Sequence, residues 1–542
     1  MFFLQSDVKK QTFLHGALIL TISGIIVKFI GFIYKIPMTR IFGEETMGYY
    51  NSALSIYTTM YVLSTSGLPV TVSRMVSSAI ALKKFRDTSR ILKISLLVYS
   101  SISFLIAIFM LFFSKTIASW TGNDPAFEAL IAVAPAIFFV SAVAGLRGFF
   151  QGHQDMMSTG ISNILESFFN LVVGFSLALI LLKAGFPLST VAAGAAVGVS
   201  VSAAISLLYM FIIYLKNRNS TKLYLNQESF PATPYKQIAS EFLKASLPIL
   251  IGALTMNLTN TIDVFVLMNR LIVSGYTSEY ANFVYGSYTS MAVLLYNMPA
   301  TITAAICTSA IPALSRSYTL QQPERIKSAI DASFRMNALI AFPIAFGMSV
   351  MSGPILNILF SNRPEGVAIA TPLLNILGLA VIPLSIATVS TSMLQAIKKP
   401  HIPVINIFIA GLIKFLMNYF LIANPNIRIF GAPFATFICY LIITILNLHQ
   451  LKKNTGVFPS ISSAFTKPLF SSVLCAAGAF LLYKAIGNFV PNLVSTVISV
   501  LFGMAIYLIS LYFCKGITAK DIEILPFGKK IKKILEKIRI MR

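Results

Sequence analysis

Residues 15–43 read HGALILTISGIIVKFIGFIYKIPMTRIFG, and their first twenty positions decide the fold class. The apolar run opens near residue 12 and continues to Tyr34, with Lys28 as its one lysine. A helix of about 20 apolar residues crosses the ~30 Å hydrocarbon layer of a bilayer. The run is too long for a signal-peptide core, and no small-residue cleavage site follows it, so it reads as an uncleaved first span.

The rest of the chain repeats this pattern. Of 542 residues, 56% are hydrophobic and only 11% charged, whereas about a quarter of an ordinary soluble domain is charged. Spanning runs lie near 12–34, 47–67, 91–114, 126–146, 158–182 and 188–215, and after a polar stretch near 242–269, 283–312, 330–352, 366–397, 402–423, 430–448, 467–487 and 491–514. The expectation is an all-α integral membrane protein of about fourteen transmembrane helices. Cys307, Cys439, Cys475 and Cys514 each sit in an apolar run without ligand spacing. They read as small buried hydrophobes.

Lys and Arg set the orientation. With the N-terminus inside, 32 of the 42 basic residues fall in inner segments, and losing one span would scramble that asymmetry. The reading is therefore a multi-pass protein of the cell membrane with both termini cytoplasmic. The tail GKKIKKILEKIRIMR places Ile531, Ile534, Leu535 and Ile538 at helical spacing among basic residues, which suits an anionic inner leaflet. The net charge of +24 reflects this inner-face bias, and no nucleic-acid motif accompanies it.

The polar stretch at 216–237 separates six spans from eight. The openings of the two blocks, 15–43 and 244–270, both hold Gly, Ser/Thr and an ionisable residue inside an apolar helix. Two six-helix lobes around a central cavity are expected, with two added helices. The divisions are an N-terminal lobe at 1–215, a cytoplasmic linker at 216–240, a C-terminal lobe at 241–451, an added pair at 466–514 and a basic tail at 515–542.

Ionisable residues within spans carry the functional information, because each costs about 2.5–3.5 kcal/mol at a helix centre and needs a partner or water. Lys28 lies deep in the first span and Lys35 is seven residues on, on the same helix face. Arg40 follows, and Pro37 between them is expected to kink or end the helix. Glu166, Asp263 and Lys414 lie in later spans, and Arg270 closes the seventh. One reading pairs these charges structurally, for instance Lys28 with Glu166 or Asp263. The other has Lys28, Lys35, Arg74 and Arg270 lining a water-filled cationic cavity, suited to an anionic headgroup such as a pyrophosphate. Gly67-Leu68-Pro69 and Asn297-Met298-Pro299 should break their helices, and Gly148 and Gly152 form a close-packing GxxxG.

No GxxxxGK[ST], HExxH or Cys/His cluster occurs, so no ATP-binding domain or bound cofactor is expected. The short outer loops lack the carboxylate and His content of a membrane transferase. A transporter rather than an enzyme is the reading; a non-transporting scaffold would have no use for Lys28 in a polar interior.

VKFIGFIYKIPMTRIFGEETMGYYNSALSIYTTMYVLSTSGLPVTVSRMVS (27–77), GLRGFFQGHQDMMSTGISNILES (145–167), NTIDVFVLMNR (260–270), STSMLQAIKKP (390–400) and NPNIRIFGAPFATFICY (424–440) resemble the multidrug/oligosaccharidyl-lipid/polysaccharide exporter superfamily. The similarity is greatest to its polysaccharide-biosynthesis branch, which holds stage V sporulation protein B and the Bacillus-type lipid II flippases. The resemblance implies an inside-to-outside flippase for undecaprenyl-pyrophosphate-linked sugars, with lipid II first among them. Export of another lipid-linked repeat unit, or drug/cation antiport, are the alternatives. It implies alternating access, a groove for the lipid tail at 466–514, and cell-wall synthesis proteins among the partners. It also implies that Lys28 and Arg40 match basic cavity positions of the family and that Arg270 follows the seventh span as a family basic residue does. A further family Arg falls on Tyr34, with Lys35 adjacent, and Asn170 stands where relatives often carry Arg. Energy would come from the membrane potential or an H+ or Na+ gradient, worth about 2.3 kcal/mol per charge per 100 mV. Asp263 and Glu166 are the candidates for ion coupling.

Overall fold

The structure, a computed structural model, describes residues 13–225 and 233–514. The basic tail at 515–542 lies outside the described residues. These are all helical or connecting, with no strand among them. In lipid a backbone must satisfy its own hydrogen bonds, and the helix does this within one segment.

The first half holds α1 (Phe13–Thr65), α2 (Leu68–Ala81), α3 (Phe85–Phe112), the short α4 (Ser114–Trp120), α5 (Phe127–Gly152), α6 (Met156–Lys183), α7 (Leu188–Leu225) and α8 (Tyr235–Val273). The second holds α9 (Ser278–Ser287), α10 (Val293–Tyr296), α11 (Met298–Thr319), α12 (Pro323–Val350), the short α13 (Ser352–Leu359) and α14 (Pro364–Ala396). It ends with α15 (His401–Ala423), α16 (Gly431–Thr455), α17 (Lys467–Ile486) and α18 (Asn492–Phe513). The compact units divide slightly later, at Met1–Gly286, which takes in all of α9 but its last residue, and Ser287–Arg542.

Twelve stretches among the described residues are long and apolar enough to cross a membrane. The difference from fourteen lies in two places. Ile19–Ala81 counts once although its 63 residues reach about 95 Å as helix, room for two crossings. The other is residues 278–319, which form α9, a π-helical turn at Tyr288–Ala292, α10 and the 22-residue α11.

The break in α1 is not at Pro37, which lies inside the helix, but at Gly43 (φ 84°, ψ 169°). Proline removes one ladder hydrogen bond yet keeps a helical φ; a positive φ combined with an extended ψ, as at Gly43, is essentially confined to glycine. Gly67 (φ 83°) and Pro69 divide α1 from α2 as their sequence suggests. The GxxxG glycines of α5 face α2, where an added Cβ would stand 2.8 Å from the Pro69 carbonyl oxygen at Gly148 and 2.7 Å from Val76 at Gly152.

Several helices are inside out. On α15 the exposed side chains include Phe408, Leu412, Phe415 and Phe420, while Asn406, Lys414 and Asn418 are buried. On α18 Leu501, Leu508 and Phe513 are exposed, and Ser495, Ser499 and Ser510 are buried. Lipid drives no hydrophobic collapse, so close packing and interhelical hydrogen bonds hold the bundle. Asn447 shows this, accepting from Asn406 at 2.8 Å and donating to Thr391 Oγ1 at 2.9 Å. Cys307, Cys439 and Cys475 are buried and all four cysteines are free thiols.

The internal repeat, faint in sequence, is plain in the backbone. α3 and α12 are each 28 residues long. Each is followed after one residue by a short helix, of 7 residues in α4 and 8 in α13, before α5 and α14. Left-handed residues occupy matching turns: Lys83 and Gln321 before α3 and α12, Gln154 and Lys398 before α6 and α15. All four turns close with an amide reaching five residues back, from Lys84 to Ala79, Asp155 to Phe150, Gln322 to Ser317 and Lys399 to Leu394. This is the Schellman closure, which satisfies the last carbonyls of a helix.

Candidate functional site

The candidate site lies in the first unit and is built on α1. Its leg before Gly43 carries Lys28, exposed, and Lys35 and Arg40, both half-buried. The leg beyond Gly43 carries Asn51, Ser52, Ser55 and Thr59. Lys35 Nζ donates to Asn51 Oδ1 at 3.4 Å across the break. An amide oxygen orients an ammonium without cancelling its charge, so Lys35 remains a cationic group for an anion.

Further along, Thr59 and Thr261 hydroxyls meet at 3.0 Å, joining α1 to α8. Asp263, half-buried, is two residues on from Thr261. Tyr285 of α9 is fully buried, with Ser52, Ser55 and Asp263 as its polar neighbours. Asn282 Nδ2 donates to the Glu45 carbonyl at 2.9 Å, and Asn123 Nδ2 donates to both Ser52 Oγ and Asn282 Oδ1 at 2.9 Å. This clasp closes the end of the unit around Gly43. Gly48 belongs to it, because a Cβ there would lie 2.7 Å from the Asn282 carbonyl. Sequence reading missed Asn123 and Asn282; a loop asparagine and a helix asparagine carry no signal until the fold joins them.

The five basic candidates do not form one cluster. Arg40 and Arg270 lie toward the clasped end, Arg270 in the last turn of α8. Arg74 is exposed on α2, roughly 45 Å of helix beyond Gly43. No single diphosphate can touch all five. Glu166 is paired elsewhere. Arg147 Nη2 donates to Glu166 Oε2 at 2.7 Å, and the guanidinium also donates to Ser162 and Ser206 hydroxyls at 2.9 and 3.2 Å. Its partner is thus Arg147 of α5 rather than Lys28. Among the described residues no group of three or more His, Cys, Asp or Glu could hold a metal ion. Open hollows of about 650 Å³ beside Lys115 and Glu128, and of about 450 Å³ beside Lys236 and Lys244, hold none of the candidates.

An all-α bundle with twelve membrane-length stretches among the described residues and a broken first helix is the architecture of a multi-pass membrane protein, and the family matches make it a transporter rather than an enzyme. The chain belongs to the polysaccharide biosynthesis protein family, whose pattern matches residues 13–318, within the multidrug/oligosaccharidyl-lipid/polysaccharide exporter superfamily. The MatE family matches residues 271–420. Among curated Bacillus subtilis proteins, the chain is 26% identical to uncharacterized membrane protein YabM over 98% of both chains. It is 26% identical to stage V sporulation protein B, over 82% of this chain and 84% of that one. It is 23% identical to lipid II flippase MurJ, over 82% and 83%. Among solved structures, lipid II flippase MurJ in an inward closed conformation superposes with a TM-score of 0.67 at 16% identity, covering 92% of this chain and 98% of that one.

Proposed function

We propose that the protein is a flippase that moves an undecaprenyl-pyrophosphate-linked saccharide, lipid II foremost, from the inner to the outer leaflet by alternating access. The observation that carries this reading is the basic row on α1: Lys28 is exposed, and Lys35 is held by an amide rather than a carboxylate. A diphosphate on a lipid carrier is the anion such a row suits, because charge-assisted hydrogen bonds to phosphate oxygens are the strong ones. The kinship with lipid II flippase MurJ and stage V sporulation protein B supports a lipid-linked cargo.

In this reading Lys28, Lys35 and Arg40 take the diphosphate in succession, while Arg74 and Arg270 guide it at the two ends of its path. The termini are cytoplasmic, and α17 and α18 receive the isoprenoid tail. Asp263, beside the Thr59–Thr261 contact, couples the cycle to an H+ or Na+ gradient or to the membrane potential. Glu166, held by Arg147, is the second coupling candidate.

The test is complementation of a strain depleted of its only lipid II flippase, with wild type and Lys28→Ala at matched membrane levels. Rescue by the wild type and failure of the variant supports the reading. Rescue by both removes Lys28 from the cargo path. Failure of both, with inserted protein, reassigns the cargo to another lipid-linked repeat unit. The MatE match keeps drug/cation antiport as the second reading, which gain of resistance to cationic drugs on expression would favour.

A further inference from the structure

The helix that follows each six-helix block begins in the same way. Thr233 stands just before α8, and Asp87, near the start of α3 and 5% exposed, receives both its backbone N–H (2.9 Å) and its hydroxyl (2.6 Å). Ser460 stands just before the π-helical turn Ser462–Thr466 that runs into α17. Asp331 of α12 receives its backbone N–H and its hydroxyl, both at 2.8 Å. α3 and α12 are the matching 28-residue helices of the repeat. The same two helix pairs also meet in aromatic contacts: Tyr99 against Phe242, about three turns along α3 from Asp87, with ring centres 5.6 Å apart, and Phe334 against Phe465 at 5.9 Å. The two aspartates sit at different positions along their helices, so the correspondence is of place in the fold rather than of sequence register.

The chemistry suits an anchor. A helix start leaves backbone N–H groups without partners, and a carboxylate there satisfies one while facing the positive end of the helix dipole. Both bonds at each site are charge-assisted. At α8 the grip is wider: Arg90 Nη1 donates to the Thr233 carbonyl at 2.6 Å, and its guanidinium lies 4.8 Å from the Tyr235 ring centre. The residue between them, Pro234, has no N–H to offer.

We infer that Asp87 and Asp331 are repeat-related positioning residues, which fasten the start of α8 to α3 and the start of α17 to α12. The anchor at Asp87, with Arg90, fixes the pivot about which α8 works in the transport cycle. Sequence order assigns α8 to the second block, yet its start is bonded to the first. The turnover part of this inference rests on the transport reading; the anchoring part does not.

The test is amide hydrogen exchange of the full-length protein in lipid nanodiscs, followed in peptides that contain Thr233 and Ser460. Asp87→Ala is expected to raise exchange at Thr233 about tenfold or more, since hydrogen bonds to charged groups lie in the range where each 1.4 kcal/mol is tenfold. Ser460 should be unchanged. Asp331→Ala should do the reverse, and Asp87→Asn, which keeps an acceptor oxygen, should recover part of the protection. Thr233→Val removes only the hydroxyl and should give a smaller rise if Asp87→Ala fails to fold. In proteoliposomes with lipid II, Asp87→Ala should lower the maximal rate without moving the half-saturating concentration. Unchanged exchange at Thr233, or equal rises at both sites, overturns the anchors. Full turnover with protection lost overturns the positioning role. If wild-type protein does not move lipid II, the proposed cargo fails while the exchange arm still decides the anchors.

Discussion

Replacing Arg147 by Met tests what holds the middle of the first unit together. The guanidinium is 15% and the Glu166 carboxylate 28% exposed, at 2.7 Å, so water screens the pair only in part. Losing Arg147 strips Glu166 of its cationic partner and Ser162 and Ser206 of a shared donor. Breaking a buried pair from one side costs about 3–5 kcal/mol, and the partial exposure here argues for about 3 kcal/mol. Removing both charges as Arg147→Met with Glu166→Gln leaves no uncompensated ion and should cost only about 1 kcal/mol. The double variant should therefore be more stable than Arg147→Met alone, a non-additivity expected of side chains in one network. Read as apparent melting temperature at a fixed scan rate, because such unfolding is commonly irreversible, the single change should lower it by about 6 °C and the double by about 2 °C. A double variant that loses the sum of the two single effects would refute the reasoning. Transport adds a second readout. If Glu166→Gln keeps its melting temperature but loses transport, the carboxylate serves ion coupling rather than packing.

Asp263→Asn should lower transport at least tenfold and flatten its dependence on pH and sodium; wild-type rates across both ranges would remove Asp263 from the coupling step. Gly286→Ala would force its methyl onto the Glu44 carbonyl oxygen, an overpacking cost of about 2 kcal/mol. It should raise amide exchange across residues 44–50 and lower the melting temperature, and no change in either would show that α1 and α9 are not in contact.

The elements themselves were legible without coordinates, because lipid leaves a chain few options. A spanning segment satisfies its own backbone and turns apolar side chains outward, so runs of hydropathy mark the helices and Gly67-Leu68-Pro69 marks a break. The kink of α1 was not legible at the right residue. Proline in a helix announces itself, whereas the positive φ at Gly43 depends on how the two legs pack. The repeat was faint for a related reason: its signature is backbone geometry, the left-handed turns at Lys83 and Gln321, which Lys and Gln do not advertise.

The site divides in the same way. Lys28 and Lys35 stand out in sequence because charge is costly in a span, and that cost is local to each residue. What each charge meets is not local. Glu166 finds Arg147 on a neighbouring helix, Asn123 finds Asn282 at 159 residues' separation, and Asp87 finds Thr233 at 146. Sequence alone determined that these helices cross the membrane and which ones carry charge. Only the tertiary structure decided which charge meets which partner and where the ends of the helices are tied, because hydrogen bonds span about 3 Å in space whatever their separation along the chain.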